Sequence, residues 1–147
     1  MRNGKDMKLH TASEVISLLR LRENETAEYY DRLGKAMPER GQMLAGLARE
    51  NRTNVVTVQR AYNNVISDAL EGGYAFDMDS RDLDLTLPKS DSISGGVEAA
   101  IEMETAMARA YSIAADQSHA LLPDVSRAMS LIASKRQARV EKLKALE

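Results

Sequence analysis

Glu23 and Glu104 are the residues of this chain best placed for chemistry. Each stands in the middle of an apolar stripe, and the two stripes share one spacing. The first runs Ile16, Leu19, Glu23, Thr26, Tyr30, Leu33; the second runs Val97, Ala100, Glu104, Met107, Tyr111, Ala114. Steps of three and four residues put each set on one helix face. A carboxylate facing a core must take up a proton, pair with a cation or ligate a metal, because burying it bare costs many kcal/mol. The alternative is a position at the stripe's edge, with the carboxylate in solvent. Two matched positions favour the buried reading, and what the carboxylates face then decides the function.

Other catalytic sets are missing from the sequence. Without cysteine there is no disulfide, thiol nucleophile, thiolate metal site or iron–sulfur cluster. The two histidines, His10 and His119, fall in the N-terminal stretch and at the end of the third helix. Neither is near the middle of a stripe, and both are expected to be exposed. No Ser/His/Asp or Cys/His set exists, so no catalytic residue is assigned. Gly72-Gly73 and Gly95-Gly96 read as helix boundaries rather than a phosphate loop. The run Asp77-Met78-Asp79-Ser80-Arg81-Asp82 has the acidic spacing of a calcium loop but lacks its central glycine and closing glutamate. It is expected to be a solvated connection.

Four long helical stretches must position the glutamates. The first opens at Thr11-Ala12-Ser13-Glu14, a capping box in which hydroxyl and carboxylate satisfy exposed backbone donors reciprocally. It should run to about Met37, with Pro38 in the first turn of a second helix that continues to Glu71 and stops at Gly72-Gly73. The third begins between Ser92 and Val97 and ends near His119; Pro123 opens the fourth. Short connections make each pair an antiparallel hairpin. The expected organisation is a tail over residues 1–10 and one bundle over 11–147, with a crossover at about 73–91. At about 3.3 Å per extended residue, a connection of roughly 20–25 residues traverses one bundle length and starts the third helix parallel to the second.

Composition sets the wider limits. A chain of 147 residues suits one domain with a full core. The formal net charge of −2 argues for neither nucleic acid nor an anionic membrane as partner. Apolar runs are too short to span a bilayer, and Met1–His10 has no apolar signal region, so a soluble cytoplasmic protein is expected. Leu18, Val55 and Ile113, apolar residues outside the main stripes, point to association as a homodimer.

Leu19-x3-Glu23-x6-Tyr30 is matched by Ala100-x3-Glu104-x6-Tyr111, a weak internal duplication that implies a pseudo-two-fold bundle. Two helical hairpins, a long crossover and a mid-helix glutamate seven residues before a tyrosine together resemble the ferritin-like superfamily, in its short rubrerythrin-like branch. The resemblance covers about Thr11 to Leu146 and implies an all-α, ferritin-like four-helix bundle. In that family the first and third helices each supply a glutamate, the second and fourth each supply Glu-x-x-His, and together they hold two metal ions, usually iron. Glu23 and Glu104 match the first pair. On the second helix, Asn51 and Asn54 stand at the glutamate and histidine positions; on the fourth, Arg136 and Arg139 do. The cysteine-ligated electron-transfer domain of full-length rubrerythrins is also missing, which weakens a peroxidase reading.

The substitutions change the electrostatics of the site. Two glutamates and two arginines are neutral without any ion, and arginine does not deprotonate but forks onto carboxylates. The preferred reading is therefore a buried network of Glu23, Asn51, Asn54, Glu104, Arg136 and Arg139 in place of a metal centre, with no cofactor and a structural or interaction role. The simpler alternative leaves Arg136 and Arg139 on a solvated face with the rest of Lys135-Arg136-Gln137-Ala138-Arg139. A second functional reading keeps iron or manganese on Glu23 and Glu104 with Glu50 as a further ligand, as an oxidoreductase or iron-handling protein. A third makes the arginines an anion site for a small ligand. Glu25, Glu50 and Glu102, at the stripe boundaries, are expected on the surface. Tyr30 and Tyr111 are expected to pack with their hydroxyls bonded to the network.

Overall fold

The computed structural model describes residues 8–66, 76–83 and 96–146, of which residues 65, 66 and 83 are described by their backbone alone. The protein is all-α. Four helices pack against one another: α1 (Ala12–Ala36), α2 (Gly41–Ile66), α3 (Gly96–Ser118) and α4 (Pro123–Lys144).

Local signals fix the helix starts. The Thr11 hydroxyl accepts from the Glu14 amide at 3.2 Å, and the Glu14 carboxylate accepts from the Thr11 and His10 amides at 3.1 and 3.0 Å. Those two backbone donors hold the Glu14 carboxyl below its usual range. Pro38 opens a single 3-10 turn, Pro38–Arg40, and α2 begins only at Gly41, a small departure from the expected start. Pro123 occupies the first turn of α4, where its missing amide costs nothing. The expected end of α2 near Glu71 and the Gly72-Gly73 stop lie outside the described residues.

Pairings between helices give their directions. Thr26 meets Asn51 and Asp31 meets Arg52, so α1 and α2 run antiparallel. Ala115 meets Ser126 and Glu104 meets Arg136, so α3 and α4 do too. Glu23 meets Tyr111 while Tyr30 meets Glu104, so α1 opposes α3. It follows that α2 and α3 are parallel, and the chain between them must travel from one end of the bundle to the other. Most of that expected crossover lies outside the described residues. Its far landing is close-packed: a Cβ on Gly96 would lie 2.7 Å from Leu33 Cδ1, so a larger residue there would require the end of the Leu33 side chain to shift. The Tyr29 hydroxyl donates to the Gly96 carbonyl at 2.7 Å and fixes the approach.

Two expectations for the connecting segments are corrected. Lys8–Leu9, placed in the tail, forms strand β1, which pairs antiparallel with β2 (Met78–Asp79) inside the expected crossover loop. Leu9, Phe76 and Met78 are buried among Ile16, Tyr111 and Val125 and close one end of the bundle. Burying apolar side chains there offsets the ordering of an otherwise polar strap. His10, expected to be exposed, is half-buried beside the Phe76 carbonyl; His119 is exposed as expected. Arg81 donates twice to the Asp79 carboxylate, at 3.1 and 3.0 Å, and draws it down to about 2. This acidic run therefore folds onto its own arginine.

The core is in two parts. One apolar cluster gathers Val15, Ile16, Leu19, Met107, Met129 and Ile132. The other gathers Tyr30, Leu33, Leu44, Leu47, Met103 and Leu143. Between them, at mid-helix, lies a layer of buried polar and charged side chains: Glu23, Thr26, Asn51, Asn54, Glu104, Arg136 and Arg139.

Candidate functional site

All six residues of the expected polar network, Glu23, Asn51, Asn54, Glu104, Arg136 and Arg139, lie in this layer. Arg136, with 0% of its surface exposed, lies between the two glutamates. Its Nη1 donates to Glu104 Oε1 at 2.7 Å and its Nη2 donates to Glu23 Oε1. The guanidinium does not fork onto one carboxylate, as expected, but bridges one from each hairpin. The solvated-face alternative for Arg136 and Arg139 is excluded, since both are buried.

Arg139 extends the layer outward. Its Nη1 donates to Glu104 Oε2 at 3.1 Å and to Asn51 Oδ1. Its Nε and Nη2 donate to Glu50 Oε1 at 3.2 and 2.6 Å. The Glu50 side chain is 46% exposed, so the network reaches solvent on this side. Burial works against ionisation of Glu50, but Arg139 and the nearby Lys135 and Lys142 outweigh it and lower its pKa. Asn51 turns its amide to Thr26 Oγ1 at 2.9 Å, and Asn54 reaches Glu23 Oε2 at 3.5 Å. Thr26 in turn donates to the Glu23 carbonyl at 2.9 Å. Glu25 is apart from the layer, paired with Arg22 at 2.9 Å, and Glu102 is exposed.

The tyrosines complete the layer in a crossed arrangement. Tyr111 of α3 donates to Glu23 of α1, and Tyr30 of α1 donates to Glu104 of α3. Each carboxylate thus takes a guanidinium N–H on Oε1 and a phenol on Oε2. The two-fold relation breaks at the remaining donor, which is Asn54 on Glu23 and Arg139 on Glu104. The Arg136 guanidinium also lies 5.9 Å from the centre of the Tyr111 ring, within cation–π range.

Electrostatics follow from burial and charge. Burial pushes the Glu23 carboxyl up, against the pull of Arg136 and the Tyr111 hydrogen bond. Burial alone would lower Arg136, but Glu23 and Glu104 outweigh it and hold the guanidinium charged. Burial and the facing carboxylates raise both tyrosines, which stay protonated as donors. Two glutamates balance two arginines, and Glu50 adds one negative charge at the surface. Arg136 Nε is buried without a partner among the described residues, the one imperfection in this bonding.

The donor set does not fit a di-metal centre. The oxygens of Glu23 and Glu104 already accept six hydrogen bonds from arginine, tyrosine and asparagine, and two positive charges sit where a cation would. Among the described residues no group of three or more His, Cys, Asp or Glu side chains gathers to hold a metal ion. Nor is there room for a substrate beside Glu23. The cavity there, lined by Ile16, Leu19, Arg20, Val55, Val58 and Tyr111, measures about 10 Å³, the size of one water. Every oxygen of Glu23 and Glu104 is engaged by an arginine or tyrosine donor and the arginines stay charged, so neither buried carboxylate is free to act as a base or nucleophile.

Sequence reasoning did not place Thr26 or Glu50 in the network. Thr26 was visible as a polar member of the first stripe; Glu50 stood out only as a stripe-boundary carboxylate and a spare ligand in the metal-binding alternative. No family model, curated protein or solved structure matches the chain. Among the described residues no helix is long and apolar enough to cross a membrane.

Proposed function

We propose that this chain is a ferritin-like bundle of rubrerythrin type in which a self-neutralising Glu/Arg/Asn layer replaces the di-metal centre, and that it acts as a non-catalytic structural or interaction protein of the cytoplasm. The observation that carries this reading is the Arg136 guanidinium bridging Glu23 and Glu104 at the middle of the bundle. A cation there would have to displace Arg136, held by Glu23 and Glu104, and Arg139, held by Glu104 and Glu50. The reading also gives the layer a task. Hairpin α1–α2 brings Glu23, and hairpin α3–α4 brings Arg136, so neither buries its charge alone. Such a layer specifies one pairing and one register of the hairpins, the best-attested use of buried polar groups.

The test is metal content. Protein purified without chelator, after growth with iron and manganese supplied, should carry well under one equivalent of iron, manganese or zinc. Near two equivalents, lost on Glu23→Ala, would overturn this reading in favour of a metal-dependent oxidoreductase or iron-handling protein.

A further inference from the structure

Leu21 and Val56 are large apolar side chains left 49% and 50% exposed, one on α1 and one on α2. Each lies two positions from a buried member of the polar layer, Glu23 or Asn54, and so points to the opposite side of its helix. The contacts Thr26–Asn51 and Glu23–Asn54 fix the level of each residue along the hairpin. On that register Leu21 stands level with Val56, Glu25 with Arg52, and Glu28 with Arg49. The outer face of the hairpin therefore has an apolar pair with acidic residues beside it on α1 and basic residues beside it on α2. Arg60 continues the basic line past Val56. Glu28, Arg49 and Arg60 are exposed and make no ion pair among the described residues.

This pattern is self-complementary. A two-fold axis parallel to the helices, lying over the hairpin, sets α1 of one copy on α2 of another at the same level. Leu21 then meets Val56 of the second copy, and Glu25 and Glu28 meet Arg52 and Arg49, each contact made twice. Over about 25 helical residues the face is roughly 38 Å long and two helices wide. That offers on the order of 700 Å² per partner, close to the roughly 800 Å² of a standard interface. Leu18, Val55 and Ile113 do not supply such a face. Leu18 and Ile113 pack partly against the core, and Val55 lines the small cavity beside Glu23.

We infer that the outer face of the α1–α2 hairpin binds a second copy of this chain, through Leu21–Val56 contacts flanked by Glu28–Arg49 ion pairs. The inference is independent of the metal-site reading, since no residue of the buried layer takes part. Electrostatic complementarity of this kind sets register and partner choice, and it weakens with salt.

Sedimentation equilibrium of the full chain, from about 1 to 200 µM, tests it over the range of weak and standard interfaces. The protein should form a dimer whose dissociation constant rises with salt. Leu21→Glu and Val56→Glu should each abolish it, while circular dichroism melting, which checks folding, stays close to wild type. Glu28→Arg and Arg49→Glu should each weaken the dimer at least about tenfold, and the double swap should restore it to within roughly threefold. A chain that stays monomeric throughout the range would overturn the inference. So would a dimer that survives both Leu21→Glu and Val56→Glu in folded protein, or a double swap no better than the single ones.

Discussion

Tyr111 donates its phenol to Glu23 at 2.5 Å, across the junction between the two hairpins. Tyr30 makes the reciprocal bond to Glu104, so the matched glutamate and tyrosine positions of the sequence are partners crosswise rather than along their own helices. Arg136 then ties both carboxylates together from α4. The layer is consequently a joint between hairpins, and its members can be tested one bond at a time.

Each phenol is a neutral donor to a buried carboxylate, an interaction worth about 1.5–3 kcal/mol. Tyr111→Phe and Tyr30→Phe should both destabilise the fold within that range. Tyr111→Phe should cost more, because Glu23 keeps only Arg136 and an Asn54 amide at 3.5 Å, whereas Glu104 keeps two arginines. Urea unfolding measures both. Losses below about 0.5 kcal/mol for the two variants, the range of ordinary surface changes, would mean that the phenols do not hold the carboxylates.

Stability should depend on pH through Glu23. Burial raises its folded-state pKa above 4.5, so the folded protein holds that proton more tightly than the unfolded chain. The stability it contributes is present below pH 4.5 and is lost as pH rises through the folded value. Glu50 acts in the opposite sense: its lowered pKa contributes stability above 4.5 that is lost on acidification. Replacing Glu23 by Gln isolates the first effect. The stability of wild type relative to Glu23→Gln, from unfolding curves at a series of pH values, should fall as pH climbs above 4.5. A difference that grows with pH would show that Arg136 and Tyr111 outweigh burial.

If the layer replaced a di-metal site, restoring the ligands should restore binding. A variant carrying Asn51→Glu, Asn54→His, Arg136→Glu and Arg139→His offers four carboxylates and two imidazoles around Glu23 and Glu104. It should take up about two equivalents of ferrous iron or manganese and melt higher with metal than without, since a ligand that binds only the folded state stabilises it. Metal analysis and calorimetry check this. A folded variant that binds no metal would remove the ferritin-like part of the account while leaving the native network in place.

Much of this arrangement was legible in the sequence, for identifiable reasons. Thr11 and Glu14 announce the start of α1 because a capping box is local. Glu23 and Glu104 are recognisable as buried because helical period links them to Ile16, Leu19, Tyr30, Ala100 and Tyr111. Arg136 and Arg139 were ambiguous. Their neighbours Lys135 and Gln137 read as a solvated face, and only the spacing to Ile132 and Leu143 indicates the core. The pairing of Lys8–Leu9 with Met78–Asp79 was not legible, since two residues carry no periodicity and the partners are about seventy positions apart. The crossing of Tyr30 and Tyr111 was hidden for a related reason: it depends on how the hairpins dock, which no local pattern encodes.

The most direct measurement is the coupling between Arg136 and the two carboxylates. Arg136→Met leaves Glu23 and Glu104 facing each other without their shared cation, and should cost about 3–5 kcal/mol in urea unfolding. Adding Glu23→Gln and Glu104→Gln to Arg136→Met removes the uncompensated charge. Most of that loss should be recovered, because replacing a whole buried ion cluster is often close to neutral. Additive effects of a few tenths of a kcal/mol would contradict the account: Arg136 would then not be neutralising the glutamates in the core.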